Sequence, residues 1–164
     1  MVKMVRLDER MIHGQIAIKW SRHLGVDRII VADDTAAGSE IMQKSLMMAA
    51  PATCKVAIVT VEKAVSLCND PRAENLKILI IVATPENLLR VAKEVKGVPV
   101  INVGNYGRIA PKHGDAIRPT YDNNLYAYDD EVAIFKQVLA TGIPCNMQTT
   151  PEDNPTDLRK VLKL

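Results

Sequence analysis

Five short apolar runs rich in β-branched residues limit the fold more than any other feature of this chain. They are "MVKMVRL" (1 to 7), "DRIIVAD" (27 to 33), "CKVAIVT" (54 to 60), "KILIIVA" (77 to 83) and "VPVINVG" (98 to 104). None alternates cleanly between apolar and polar, so each reads as a strand covered on both faces. Between them lie "GQIAIKWSRHLG", "AGSEIMQKSLMMAA", "VEKAVSLCN" and "PENLLRVAKEVKG", with apolar residues at three- and four-residue spacings. Strand and helix alternate from the start. That order predicts an α/β fold, an open, mostly parallel twisted sheet with helices on both faces and right-handed crossovers. The punctuation agrees: Thr84 before Pro85 reads as an N-cap and a first-turn proline, and Gly25 and Gly97 fall where helices should stop.

At 164 residues the chain is long enough for one substantial core, and we expect a single domain over 1–164. From Tyr106 to Tyr128 the regular pattern gives way to glycines, prolines, asparagines and tyrosines, an irregular excursion with one short strand near "NLYAY". Segments of that kind are usually functional or mobile. Beyond it we expect a helix, "DDEVAIFKQVLATG", capped by Asp129 or Asp130. A strand, "IPCNMQT", and a last helix, "NPTDLRKVLKL", opened by Asn154 and Pro155, complete the chain.

Composition narrows the function. Lysine and arginine outnumber aspartate and glutamate by only 21 to 19, and aromatic residues make up 4%, which argues against a nucleic-acid partner. The absence of a membrane-length apolar run or a signal peptide predicts a cytoplasmic chain. Cys54, Cys68 and Cys145 are odd in number and widely spaced, as expected of small buried hydrophobes rather than disulfides or metal ligands. His13, His23 and His113 are equally scattered, so no metal site is expected.

Chemistry concentrates in "RLDERMIHGQ", where the first strand ends and the first helix begins. Open α/β sheets bind ligands at the carboxyl ends of their strands, and the free amides and positive dipole end of a helix start favour an anion. His13 at that point offers a nucleophilic nitrogen near neutral pH, and Arg10 offers a planar fork of donors for phosphoryl oxygens. Asp8, Asp33 or Asp34 can orient the imidazole. Equally, a loop histidine before glycine can serve only as part of a helix cap, and Arg6, Asp8, Glu9 and Arg10 can be a solvated ion-pair cluster. A non-catalytic module that binds a phosphorylated ligand or partner at the first helix start is the alternative.

"VRLDERMIHGQIAIKW" resembles the hallmark "R-I-D-x-R-L-I-H-G-Q-V" of the IIB components of the mannose, fructose and sorbose family of the phosphoenolpyruvate-dependent sugar phosphotransferase system. Arg6, Asp8, Arg10, Ile12, His13, Gly14 and Gln15 match in order, with conservative changes at Leu7, Met11 and Ile16. "DRIIVADD" with the following "MMAAP", and "INVGN", extend the likeness over the chain, while "PKHGDAIRPTYDNN" departs from it.

The resemblance implies a protein-N(π)-phosphohistidine–sugar phosphotransferase that needs no cofactor. His13 would be phosphorylated on Nδ1, Arg10, Gly14 and Gln15 would hold the phosphoryl group, and Asp8 and Arg6 would support them. The donor would be a IIA phosphocarrier protein or domain and the acceptor a sugar entering through IIC and IID permease subunits, with the chain associated peripherally with that permease.

Elsewhere, His23 reads as a dipole partner in the last turn of the first helix. His113 reads as an exposed loop residue, and "GNYG" (104 to 107) as a turn or a nest of amides. Arg118 is a candidate second phosphate ligand. With Arg6, Arg10, Lys19, Arg22, Arg108 and Lys112 it predicts a basic rim around His13.

Overall fold

A computed structural model describes all residues, 1–164. The five apolar runs become β1 (Val2–Asp8), β2 (Arg28–Ala32), β3 (Lys55–Val59), β4 (Ile78–Val82) and β5 (Ile101–Asn105). β6 (Thr120–Asp122) and β7 (Leu125–Tyr126) form a separate antiparallel pair inside the excursion, where one strand was expected. β8 (Cys145–Met147) and β9 (Thr156–Asp157) complete the main sheet. Its order is β3-β2-β4-β1-β5-β8-β9, parallel throughout except for the last pair.

The helices are α1 (Gly14–Leu24), α2 (Asp34–Ala37), α3 (Glu40–Ala49), α4 (Val61–Asn69), α5 (Pro85–Glu94), α6 (Asp129–Ala140) and α7 (Leu158–Val161). Both faces of the sheet are covered. Val5, Leu7, Ile80 and Val103 face a core built with α4, α5, α6 and α7, while Met4, Ile29, Val31 and Leu79 face one built with α1, α2 and α3. β1, β2 and β4 therefore feed two cores, which is why their sequences do not alternate.

Three local expectations are corrected. The helix expected over 37–50 starts only at Glu40, where the Ser39 hydroxyl caps it by accepting from the Met42 amide, and a separate short helix, α2, precedes it, capped by Asp33 accepting from the Ala36 amide at 2.9 Å. α6 begins after Tyr128 rather than at a capping aspartate: the Glu131 carboxylate accepts from the Tyr128 amide at 2.8 Å, leaving Asp129 and Asp130 in the first turn. Asn154 and Pro155 do not open the last helix, since Thr156 and Asp157 pair with β8 and the Asp157 carboxylate then caps α7. Thr84 caps α5 as expected, and Gly25 ends α1 in the left-handed region at φ 64°.

Candidate active site

β1 lies between β4 and β5, and its alternation sets the site. Val5 and Leu7 enter one core, so Met4, Arg6 and Asp8 point to the α1 side. A guanidinium in that position needs partners. Arg6, 3% exposed, donates to the Asn102 side-chain oxygen and to the carbonyls of Gln148 and Thr149, both at 3.0 Å, and lies over the Trp20 ring at 5.2 Å. Burial pulls its pKa down to about 10 against the opposing pull of Asp8, whose Oδ2 is 3.5 Å from Nη2. Gly104 makes room for this group: a Cβ there would come closer than 3.0 Å to Cζ and both terminal nitrogens.

Asp8 receives the next contacts. Its Oδ1 accepts from the Arg10 amide at 3.0 Å and its Oδ2 meets His13 Nε2 at 2.9 Å. Burial pushes the Asp8 carboxyl up, but the His13 hydrogen bond, the Arg6 charge and the Arg10 amide outweigh it and hold the group below the usual carboxylate range. The loop that brings His13 back over Asp8 runs through left-handed backbone at Met11 (φ 62°), and Gly14 (φ 47°) then turns the chain into α1. Of the three carboxylates that could orient the ring, Asp8 does. Asp33 caps α2, and Asp34 accepts from the Val61 amide at 2.9 Å.

His13 is the extended residue immediately before α1, 22% exposed in its side chain, and no side chain caps the helix. A carboxylate against Nε2 favours the tautomer with hydrogen there and the lone pair on Nδ1. The Arg10 guanidinium is 46% exposed, its nearest carboxylate Asp8 at 3.7 Å from Nε. Gly14 and Gln15 are exposed at the helix start.

The remaining candidates separate. Arg118 is 7% exposed and spent on structure, since it binds both oxygens of Glu131 and the carbonyls of Ala110 and Pro111. The reading of Arg118 as a phosphate ligand is therefore withdrawn. Both it and buried Arg6 leave the expected basic rim, and Lys19 pairs loosely with Glu152 at 3.8 Å. His113 stacks on Tyr128 with centroids 4.0 Å apart, and His23 meets Trp20 edge to face in the last turn of α1. Cys145 is buried as expected, whereas Cys54 and Cys68 are only half buried.

The amides at and after "GNYG" do form an anion nest, and Glu9 fills it. Its carboxylate, in a residue 6% exposed, accepts from the amides of Gly107 at 3.1 Å and Arg108 at 2.9 Å, with Ile109 and Ala110 within 3.4 Å. The solvated ion-pair alternative fails for Arg6, Asp8 and Glu9, which are all buried, and the roles of Glu9, Gly104 and Asn102 were not foreseen from the sequence. A polar Asn102 inside the apolar run "VPVINVG" was the one available signal, because a buried amide in a strand requires a partner.

The model of the PTS system sorbose subfamily IIB component matches residues 2–164. The chain is 36% identical over 140 residues to a probable phosphotransferase enzyme IIB component of Streptococcus pyogenes serotype M6, covering 85% of each. It is 31% identical over 159 residues, 96% of each chain, to an N-acetylgalactosamine-specific phosphotransferase enzyme IIB component of Escherichia coli. The IIBSor domain of the sorbose permease from Klebsiella pneumoniae shares the fold, with a TM-score of 0.88 over 99% of this chain and 96% of that one at 21% identity. No helix of the chain is long and apolar enough to cross a membrane.

Proposed function

This chain belongs to the sorbose subfamily of phosphotransferase-system IIB components, a family whose work is phosphotransfer in sugar uptake, and on that premise we propose that it carries the phosphoryl group on Nδ1 of His13. The observation that carries the proposal is the 2.9 Å contact between His13 Nε2 and Asp8 Oδ2, which leaves Nδ1 as the nucleophile. The donor is a phosphohistidine of a IIA protein or domain. As Nδ1 bonds phosphorus, the donor's nitrogen–phosphorus bond breaks and positive charge develops on the His13 ring, facing the Asp8 carboxylate. Arg10 and the Gly14 and Gln15 amides supply hydrogen-bond donors to the phosphoryl oxygens, and a loose transition state asks for little more than such alignment. In transfer to the hydroxyl of a sugar at the IIC and IID permease subunits, with this chain docked peripherally, the sugar oxygen bonds phosphorus as the Nδ1–phosphorus bond breaks, the hydroxyl proton is released to solvent, and the imidazole returns to its starting state.

Arg6 belongs to this machinery at one remove. It touches no reacting atom, and its buried charge holds Asp8 ionised and in place. The test is incubation with phosphoenolpyruvate, the general phosphotransferase proteins and a IIA protein. An acid-labile adduct that disappears in His13→Ala is expected; an adduct retained in that variant, on His23 or His113, would overturn the assignment.

A further inference from the structure

Glu9 occupies the position that the family hallmark leaves free, between Asp8 and Arg10, and its nest immediately precedes the segment that departs from the family pattern. A carboxylate at the tip of the His13 loop is held by four successive backbone amides, 107 to 110. A buried charged acceptor with that many donors is a strong tether. The segment beyond it is braced in turn, because Arg118 ties the Ala110 and Pro111 carbonyls to Glu131.

This braced segment shows apolar side chains to solvent: like Ile41 and Met48 on α3, its Ile109 and Ile117 are largely exposed, at 68% and 86%. Exposed Arg108 and Lys112 lie among them, neither paired with a carboxylate, and Asp115 is the one exposed acid on the segment. The Arg108 guanidinium is steadied by the Asn123 carbonyl and the Tyr126 ring. Exposed apolar side chains beside cations that lack a carboxylate partner gain by being covered.

We propose that Glu9 clamps residues 107–118 beside the His13 loop as a docking surface for the protein phosphodonor, reading an apolar patch flanked by acidic side chains on that partner. The inference rests on the carrier reading above. Charge complementarity names the occupant. The donor arrives with an anionic phosphohistidine, and the chain offers it exposed cations on the His13 loop, Arg10, and on the segment tied to Glu9, Arg108 and Lys112.

The test separates docking from chemistry by using two donors. Phosphoramidate, a small molecule, phosphorylates a reactive histidine without any protein docking. The second donor is a purified mannose-type IIA protein that, once charged, phosphorylates the unaltered chain. In Ile109→Asp/Ile117→Asp the phosphoramidate rate should match wild type, while KM for the charged IIA protein rises about tenfold or more, the effect of losing interface anchors. Unchanged kinetics with the IIA protein would overturn the docking surface and leave the carrier reading intact. Failure of wild type to accept phosphate from either donor at His13 would instead sink the carrier reading. In Glu9→Gln, hydrogen exchange at amides 107–110 should accelerate, with a matching rise in KM for the IIA protein; slow exchange retained in that variant would refute the clamp.

Discussion

Replacing Gly104 by alanine adds one methyl group and should unseat Arg6. The new Cβ would sit within 3.0 Å of three guanidinium atoms, a distance that side chains do not tolerate, and neighbouring strands on both sides of β5 hold the backbone in place. Arg6 must therefore withdraw from the Asn102 oxygen and at least one of the Gln148 and Thr149 carbonyls. Hydrogen bonds to a charged donor contribute about 1.5–3 kcal/mol each, and breaking into a buried ionic group costs about 3–5 kcal/mol, so the variant should lose about 3–5 kcal/mol. A domain of this kind has about 5–15 kcal/mol to lose. Urea unfolding followed by circular dichroism measures it, and with a slope of about 1–3 kcal/mol per molar the midpoint should fall by about 2 M. Gly38→Ala is the control, because a Cβ there meets only ordinary contacts at 3.6 and 3.8 Å at the end of α2. A Gly104→Ala midpoint within experimental error of wild type would refute the claim that this glycine exists to admit Arg6.

Asp8→Asn should keep the fold but slow phosphorylation of His13 by about tenfold to a hundredfold, the usual effect of losing a carboxylate that orients a histidine; rapid-quench transfer from a charged IIA protein measures it. Because the folded-state pKa of Asp8 is depressed, the stability its ionised form contributes is complete above the unfolded value of about 3.9 and is lost as pH falls through the lower folded value. The urea-midpoint gap between wild type and Asp8→Asn should accordingly hold from pH 7 to pH 5 and close in more acid solution. Arg10→Lys should transfer more slowly than wild type, since an ammonium does not reproduce the planar fork, and equal rates would remove Arg10 from the phosphate site. Arg118→Ala should cost about 3–5 kcal/mol in urea by leaving Glu131 buried without its cation, with phosphoramidate labelling of His13 preserved in the folded fraction.

Strand positions were readable because burial on two faces leaves a mark in every residue of a run, and β1 to β5 lie within a few residues of their expected bounds. The i, i+2 spacing of Arg6 and Asp8 likewise carries over from sequence, since two residues on one strand must share a face. What sits opposite them does not. Asp8 reaches His13 because Met11 turns the intervening backbone through the left-handed region, and a methionine at φ 62° announces nothing of the kind in its chemistry. Arg118 misled for a related reason: its partner Glu131 is brought to it by α6, and a guanidinium that is neutralised and enclosed no longer contributes to a surface field.

Counting charges along a loop predicts a potential only when each charge stays in water. Here Arg6 and Arg118 are withdrawn by burial and Glu9 is held by backbone amides, while Arg10, Arg108 and Lys112 remain exposed. Fewer cations therefore remain in water than the sequence count suggests, so that removing Arg108 and Lys112 together should flatten most of the salt dependence of transfer from a protein donor, while Arg118→Ala should leave it unchanged. Stopped-flow transfer at low and high ionic strength distinguishes these variants, and an equal loss of salt dependence in Arg118→Ala would mean that its charge is felt at the surface despite Glu131.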